Sequence, residues 1–293
     1  ILKILKMKNM IKAALVLEGG ALRGMYTSGV LDTFLEHNME FECVVGVSAG
    51  ALNGMNYISK QKGRSARINL EYCNNPKYIG RKAILKNKGI IGYDYLFGDI
   101  SKKEIPFNYE AFEKTKQRFV IVTTNCEKAE TTFFEKSNCR DLFKAAQASS
   151  SMPLASAMVE IEKEHYLDGA VTTSIPVLWA LEQGYQKVIV VLTRNEGYKK
   201  KMTSSKMKKL YQLAYHKYPE LIQKLNTMPE RYNDLQEKIK QLETEKKIFV
   251  IRPQKEVKVA RLEKDTEKLQ NLYQEGIDDV NRLIKDLTEY IES

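Results

Sequence analysis

Histidine is scarce in this chain, with 3 among 293 residues, and cysteine is hardly commoner, with 4. So few histidines, none of them clustered, argue against a His-built metal site. Cys43, Cys73, Cys126 and Cys139 stand far apart with no C-x-x-C pair, which fits neither a zinc site nor a disulfide framework. A reducing, cytoplasmic setting is expected, with Cys43, inside the apolar run FECVVGVS, as a small core residue. Long apolar runs are missing too: none approaches the ~20 residues that span a bilayer. The opening residues, ILKILKMKNMIKAALVLEGG, lack a first methionine, and lysines interrupt each apolar stretch, unlike the apolar centre of a signal peptide. Any encounter with a membrane is therefore expected to be lateral, at the inner membrane's cytoplasmic face.

Positive charge is in excess: 47 Lys+Arg against 37 Asp+Glu, a net of +10. That balance favours an anionic partner, either nucleic acid or an acidic lipid surface. A nucleic-acid partner is set aside, because no recognisable motif or base-reading scaffold accompanies the basic stretches. The length accommodates one large α/β domain, alone or with a helical appendage, and an apolar content of 43% supplies an ordinary core.

Short apolar runs predict buried strands at Ala13–Leu17, Cys43–Val47, Phe119–Thr123, Lys187–Leu192 and Ile248–Arg252. Helical stretches fall between them at Arg23–His37, Ala49–Gln61 and Ile175–Gln183, while TTFFEK, AMVEIE and EHYLDG read as shorter strands. The alternation implies a mostly parallel central sheet covered on both faces, a three-layer α/β/α arrangement. After Thr193 the chain turns basic, polar and helix-prone, and a strand returns near 248–252 before a last helical segment. The expected organisation is an N-terminal segment at 1–11, a core at 12–194 and a basic helical extension at 195–293, with Asn195–Lys247 as an insertion or subdomain.

Two glycine-rich turns each follow a predicted strand. In EGGALRG, Gly19 and Gly20 let the backbone bend sharply and approach a ligand, and Arg23 and Gly24 open the next helix, where negative charge is favoured. The pattern G-x-A-x-x-G alone fits a dinucleotide site, an oxyanion or phosphate site, or a tight turn equally well. The second turn holds Gly46-Val47-Ser48-Ala49-Gly50, a full G-x-S-x-G. Serine on such a strand-to-helix elbow projects its Oγ above the sheet, and glycines two before and two after avoid collisions across the bend. A helix N-cap serine explains Ser48 equally well in isolation. Its position between strand and helix, after an oxyanion-type turn, makes it the candidate nucleophile.

A serine nucleophile needs a base. His216 lies in a Lys-rich helical stretch, His165 on a presumed strand and His37 at a helix end, so none is well placed. Asp168 ends the strand EHYLD, and Gly169 permits a sharp exit, so its carboxylate is a candidate to take the Ser48 proton directly. An isolated Asp-Gly is more often only a turn, and an exposed aspartate with pKa near ~4 is a feeble base, so protection from water is required.

EGGALRG, GVSAG and DGA, in that order, with Ala145-Ala146-Gln147-Ala148-Ser149-Ser150-Ser151-Met152-Pro153-Leu154 between the last two, resemble the patatin-like phospholipases over roughly Lys12 to Leu192. The chain is similar to their bacterial cytoplasmic branch, in which a basic helical extension follows the core. The resemblance implies a serine lipid acyl hydrolase with a Ser–Asp dyad, Ser48 and Asp168, and an oxyanion hole at Gly19, Gly20 and Ala21. Arg23, Gly24, Gly46, Gly50 and Gly169 complete the motifs, and no metal or cofactor is required. The family usually carries a third glycine where this chain has Ala21, whose methyl is expected to narrow the acyl approach.

Two other functions stay open: a nucleotide-binding oxidoreductase, which leaves G-x-S-x-G unexplained, and a non-catalytic lipid-binding protein on the same fold. A Ser–His–Asp esterase is a further variant of the hydrolase. In YKKKMTSSKMKKLYQLAYHKY, lysines alternate with Met202, Met207, Leu210 and Leu213 at helical intervals. The plainer reading packs those four on the core; the other makes the segment an interfacial helix against an anionic membrane surface. Partners are thus a lipid or ester substrate and, by the second reading, a membrane face.

Overall fold

Neighbouring residues of the first strand sit in different cores: Leu15 and Leu17 on one side of the sheet, Ala14 and Val16 on the other. A strand buried on both faces is what a parallel sheet between two helical layers demands. The structure, a computed structural model, describes residues 10–293. The segment 1–11 therefore lies outside the described residues except for its last two.

The strands are β1 (Ile11–Leu17), β2 (Phe41–Val47), β3 (Arg118–Asn125), β4 (Glu130–Glu135), β5 (Val159–Ile161), β6 (Glu164–Asp168), β7 (Val188–Val191) and β8 (Phe249–Ile251). They form one sheet in the order β5-β6-β3-β2-β1-β7-β8, with β4 also paired to β3. The run β3-β2-β1-β7-β8 is parallel, and β4, β5 and β6 are antiparallel additions. One face is covered by the helices Met25–Glu36, Ala49–Ile58, Arg64–Tyr72 and Thr266–Glu292, the other by Val177–Glu182 and Met228–Thr244. This is the three-layer α/β/α fold with a mostly parallel sheet that the strand–helix alternation implies.

The strand near 248–252 is β8, which pairs with β7 inside the sheet. Helix Thr266–Glu292 crosses helix Met25–Glu36 at close range. A Cβ on Gly29 would meet the Tyr273 carbonyl oxygen at 2.1 Å, and one on Gly276 the Tyr26 carbonyl oxygen at 2.3 Å. Only glycine lets the two backbones touch there. Tyr26 donates to Asp279 at 2.8 Å and Tyr273 donates to Asp32 at 2.9 Å, one bond to each side of the crossing. The C-terminal part is thus built into the same core as the first turn.

One expectation fails. The basic helix, Ser205–Ala214, does not pack its apolar side chains inward: Met207, Leu210 and Leu213 are exposed, Leu213 at 77%, as is Met202 just before it. Only Tyr211 of that helix is buried. The helix rests on the fold through this one ring, in a small cluster with Tyr215 and Leu221, which leaves its other apolar residues in water.

Candidate active site

β2 and β6 meet end to end. β2 pairs with β3 up to Val47 opposite Val122, and β6 arrives antiparallel with Asp168 opposite Thr123. β4 takes the other edge of β3 along Val120–Asn125, so β2 and β6 share one edge and their last residues converge. Ser48 and Asp168 are therefore brought together by register, and both line one cleft. The Ser149 hydroxyl bridges the gap, donating to the Val122 carbonyl at 2.6 Å and accepting from the Ser48 amide at 2.8 Å.

The elbow is tightly wound. Ser48 holds φ 54° and ψ −122°, a left-handed backbone that costs a non-glycine residue on the order of 1–3 kcal/mol and aims its side chain off the sheet. A Cβ at Gly46 would stand 2.6 Å from the Ala51 amide, and one at Gly50 would stand 2.4 Å from the Leu17 carbonyl oxygen. The two glycines flanking the serine are thus set by β1 and by the elbow itself. Gly169 has the same cause, its absent Cβ lying 2.3 Å from the Val122 carbonyl oxygen.

Asp168 is 6% exposed. Its carboxylate accepts from the Ala170 amide at 2.9 Å, and its own amide donates to the Ser151 carbonyl at 2.9 Å. Burial pushes the carboxyl up to about 6, against the opposing pull of the Ala170 amide, the Ser48 hydroxyl, and the positive charges of Arg261 and Lys200. Such a carboxylate is ionised at neutral pH yet far more basic than an exposed one.

The first turn wraps over the serine. Gly19 approaches so closely that a Cβ would lie 3.0 Å from the Ser48 Cβ, and Gly20 abuts Thr193. Among the described residues, the amides of Gly19, Gly20 and Ala21 have no backbone acceptor, while Leu22 donates to the Arg261 carbonyl and Arg23 to that of Gly20. Ala21 sits at φ 49°, where glycine is the usual occupant, at a cost of roughly 1–2 kcal/mol for an L-residue. Gly24 backs onto Ala49 and Asn53, and Arg23 points into the cleft.

Glu18, at the end of β1, holds the turn from below. It accepts from the Thr193 amide at 2.6 Å, the Thr193 hydroxyl at 3.0 Å and the Tyr232 hydroxyl at 2.8 Å. Thr193, Tyr232 and the cleft cations Arg194, Lys200 and Arg261 carry no motif and escape sequence reasoning. Lys200 sits inside a lysine run that reads as solvated surface. The histidines stay apart from the cleft: His165 pairs with Glu127, His37 with Asn281, and His216 with the Leu213 carbonyl.

Two arms leave Ser48. One is apolar, lined by Leu52, Met55, Ile68, Leu96, Phe97 and Phe143, and with its mouth encloses about 870 Å³. The other, about 820 Å³ with its mouth, is walled by Arg23, Arg194, Lys200, Arg261, Tyr198 and Tyr232.

Comparison with known proteins places the chain in a family. A domain of unknown function (DUF6363) matches residues 218–292. YjjU, an uncharacterized protein of Escherichia coli strain K12, is 29% identical over 189 residues, covering 62% of this chain and 52% of that protein. The chain thus spans about half the length of this curated relative. The solved structure of VipD from Legionella pneumophila superposes with a TM-score of 0.48 at 14% identity, covering 95% of this chain and 67% of that one. The Patatin-like phospholipase model matches residues 15–181, more than half of the chain, from within β1 to the helix that follows Asp168. The chain belongs to the patatin-like phospholipase family.

Proposed function

We propose that the chain is a serine acyl hydrolase that cleaves carboxylic ester bonds of lipids through a Ser48–Asp168 dyad. The observation that carries this reading is the convergence of Ser48 and a buried, basic Asp168 at two strand ends beneath the amides of Gly19, Gly20 and Ala21. Asp168 takes the hydroxyl proton as Ser48 Oγ attacks the ester carbonyl carbon, and the oxyanion that forms is held by the free amides. The C–O bond to the alcohol then breaks, and Asp168 returns its proton to the departing oxygen. Water, deprotonated by the same carboxylate, clears the acyl-serine. The apolar arm takes the acyl chain, which sets the ester carbonyl at the junction of the two arms. The core at 12–194 supplies the dyad, and the extension at 195–293 supplies one wall of the cleft.

Peripheral contact with an anionic membrane belongs to the same reading. Helix Ser205–Ala214 exposes Met207, Leu210 and Leu213 beside Lys206, Lys208 and Lys209, the pairing of apolar and cationic side chains an interfacial helix needs. Its inward Tyr211 lines the cleft, so the helix with the exposed apolar face is joined to the cleft wall.

The deciding experiment is labelling with a fluorophosphonate, alongside hydrolysis of p-nitrophenyl esters and phospholipids. Labelling is expected in the wild type and absent in Ser48→Ala, with ester hydrolysis reduced on the order of 10⁴-fold or more. Labelling that survives Ser48→Ala removes the assignment. A soluble, folded protein that neither labels nor hydrolyses any ester points instead to lipid binding without catalysis.

A further inference from the structure

The cationic arm holds more positive charge than catalysis by the dyad explains. Four cationic side chains, Arg23, Arg194, Lys200 and Arg261, line it beside only two carboxylates, Glu18 and Asp168. Glu18 is already engaged by Thr193 and Tyr232, and Asp168 by the Ala170 amide. Among the described residues none of the four cations forms an ion pair within 4.0 Å. The Arg23 Nε–H is buried without any partner. The crowding acts on the groups themselves: Lys200 is pulled down to about 8, first by burial and then by Arg261 and Arg23, with Glu18 opposing. Arg23 falls to about 10, by burial and by Arg194 and Arg261. Like charges gathered in a partly desolvated cleft are unfavourable until an anion joins them.

The aromatic rings of this wall sharpen the choice of anion. A quaternary ammonium is held by free aromatic faces. Here Arg194 stacks 4.2 Å from the Tyr198 ring centre and Lys200 lies 3.7 Å from that of Tyr232, so the protein's own cations occupy two of the three tyrosine rings that line the arm, and the third, Tyr211, packs with Tyr215. A zwitterionic headgroup would bring a cation into a pocket that already has too many, whereas a phosphodiester with a neutral polyol would meet only complementary charge.

We propose that this arm is a headgroup subsite selecting lipids whose phosphate-bearing headgroup is net anionic, and that the region after the patatin-like match builds it. Arg194 and Lys200 lie between the two family matches, and Tyr232 and Arg261 lie within residues 218–292. The matched domain of unknown function thereby gains a role, supplying Arg261 and the ring under Lys200 to the cleft. The inference rests on the hydrolase reading for the orientation of the lipid, acyl chain in the apolar arm and phosphate in the cationic one.

The test is equilibrium binding to full-length Ser48→Ala protein, which keeps the arm and cannot turn over. Matched lysophospholipids carrying phosphoglycerol or phosphocholine are titrated below their critical micelle concentrations, with inorganic phosphate as a third ligand. The phosphoglycerol lipid is expected to bind at least ~10-fold tighter than the phosphocholine lipid, a preference that shrinks with added salt. Lys200→Gln with Arg261→Gln is expected to bring the ratio within about twofold while the phosphocholine lipid still binds. Equal binding of the two lipids by the Ser48→Ala protein overturns the proposal, and this outcome needs no further variant. Inorganic phosphate binding as tightly as the phosphoglycerol lipid would make the arm a site for free phosphate and would also overturn it. A clear preference in the Ser48→Ala protein, together with a wild type that fails to label with fluorophosphonate, would retain the subsite and discard the hydrolase.

Discussion

The two arms of the cleft are built on opposite plans. The apolar arm also contains a buried cation, Arg64, but that guanidinium donates to the Ile105 carbonyl, Asn56 and Ser101, so its hydrogen bonding is largely satisfied within the protein. Among the described residues, the cations of the other arm are held by rings and backbone at most, and the Arg23 Nε–H by no partner. A satisfied cation is architecture, whereas an unsatisfied group of them is a seat for something that arrives. The arms also differ in origin, because most of the apolar arm falls within residues 15–181 and most of the cationic wall lies beyond them. The proposed chemistry and acyl recognition thus fall in one stretch of chain, and most of the proposed charge recognition in another.

That division can be broken at its hinge first. Asp168→Asn is expected to lower kcat/KM for any ester by about 10⁴, since an amide cannot accept the serine proton. The wild-type rate should fall about tenfold per unit as pH drops below about 6, because the carboxylate must be ionised to act as base. The same raised pKa predicts a gain elsewhere. A buried carboxylate that titrates near 6 when folded and near ~4 when unfolded costs stability once pH rises through that window. Asp168→Asn should therefore raise unfolding free energy by up to about 3 kcal/mol at pH 8 and by nothing at pH 3, as urea titrations would show.

Filling one arm alone tests whether the two are separable. Leu52→Trp is expected to cut hydrolysis of long-chain p-nitrophenyl esters by roughly 10–100-fold relative to the butyrate, with the preference for anionic headgroups kept. A loss that spreads equally over both chain lengths would show that the arm does not hold the acyl group. The smallest effect is expected at the junction. Ala21→Gly relieves a left-handed alanine but loosens the unfolded chain, so thermal melts should move by no more than about 1 kcal/mol. Any rise in rate toward bulky esters would measure the obstruction by the methyl.

Legibility in the sequence follows the same line between arms. The strands around the elbow were readable from their apolar runs, and the glycines at 46, 50 and 169 from the short motifs they complete, where a Cβ would meet backbone. The cationic wall was not, because a lysine facing a cleft and a lysine facing water look alike in a chain with 47 basic residues. The convergence of β2 and β6 was likewise hidden: nothing local to EHYLDG says that it runs antiparallel to β3. The basic helix erred in the opposite sense, its periodicity reading as a buried stripe when only Tyr211 turns inward.

The crossing of Gly29 and Gly276 carries a consequence for assembly of the protein. Helix Met25–Glu36 begins at the turn that packs against Ser48, and it is clasped by a helix some 250 residues later, through a Tyr26–Asp279 bond spanning 253 positions. Closing so long a loop is slow and entropically uphill, and it precedes any reward from the contact. The turn at the head of this helix is thus tied to a contact that lies within residues 218–292, far beyond the patatin-like match.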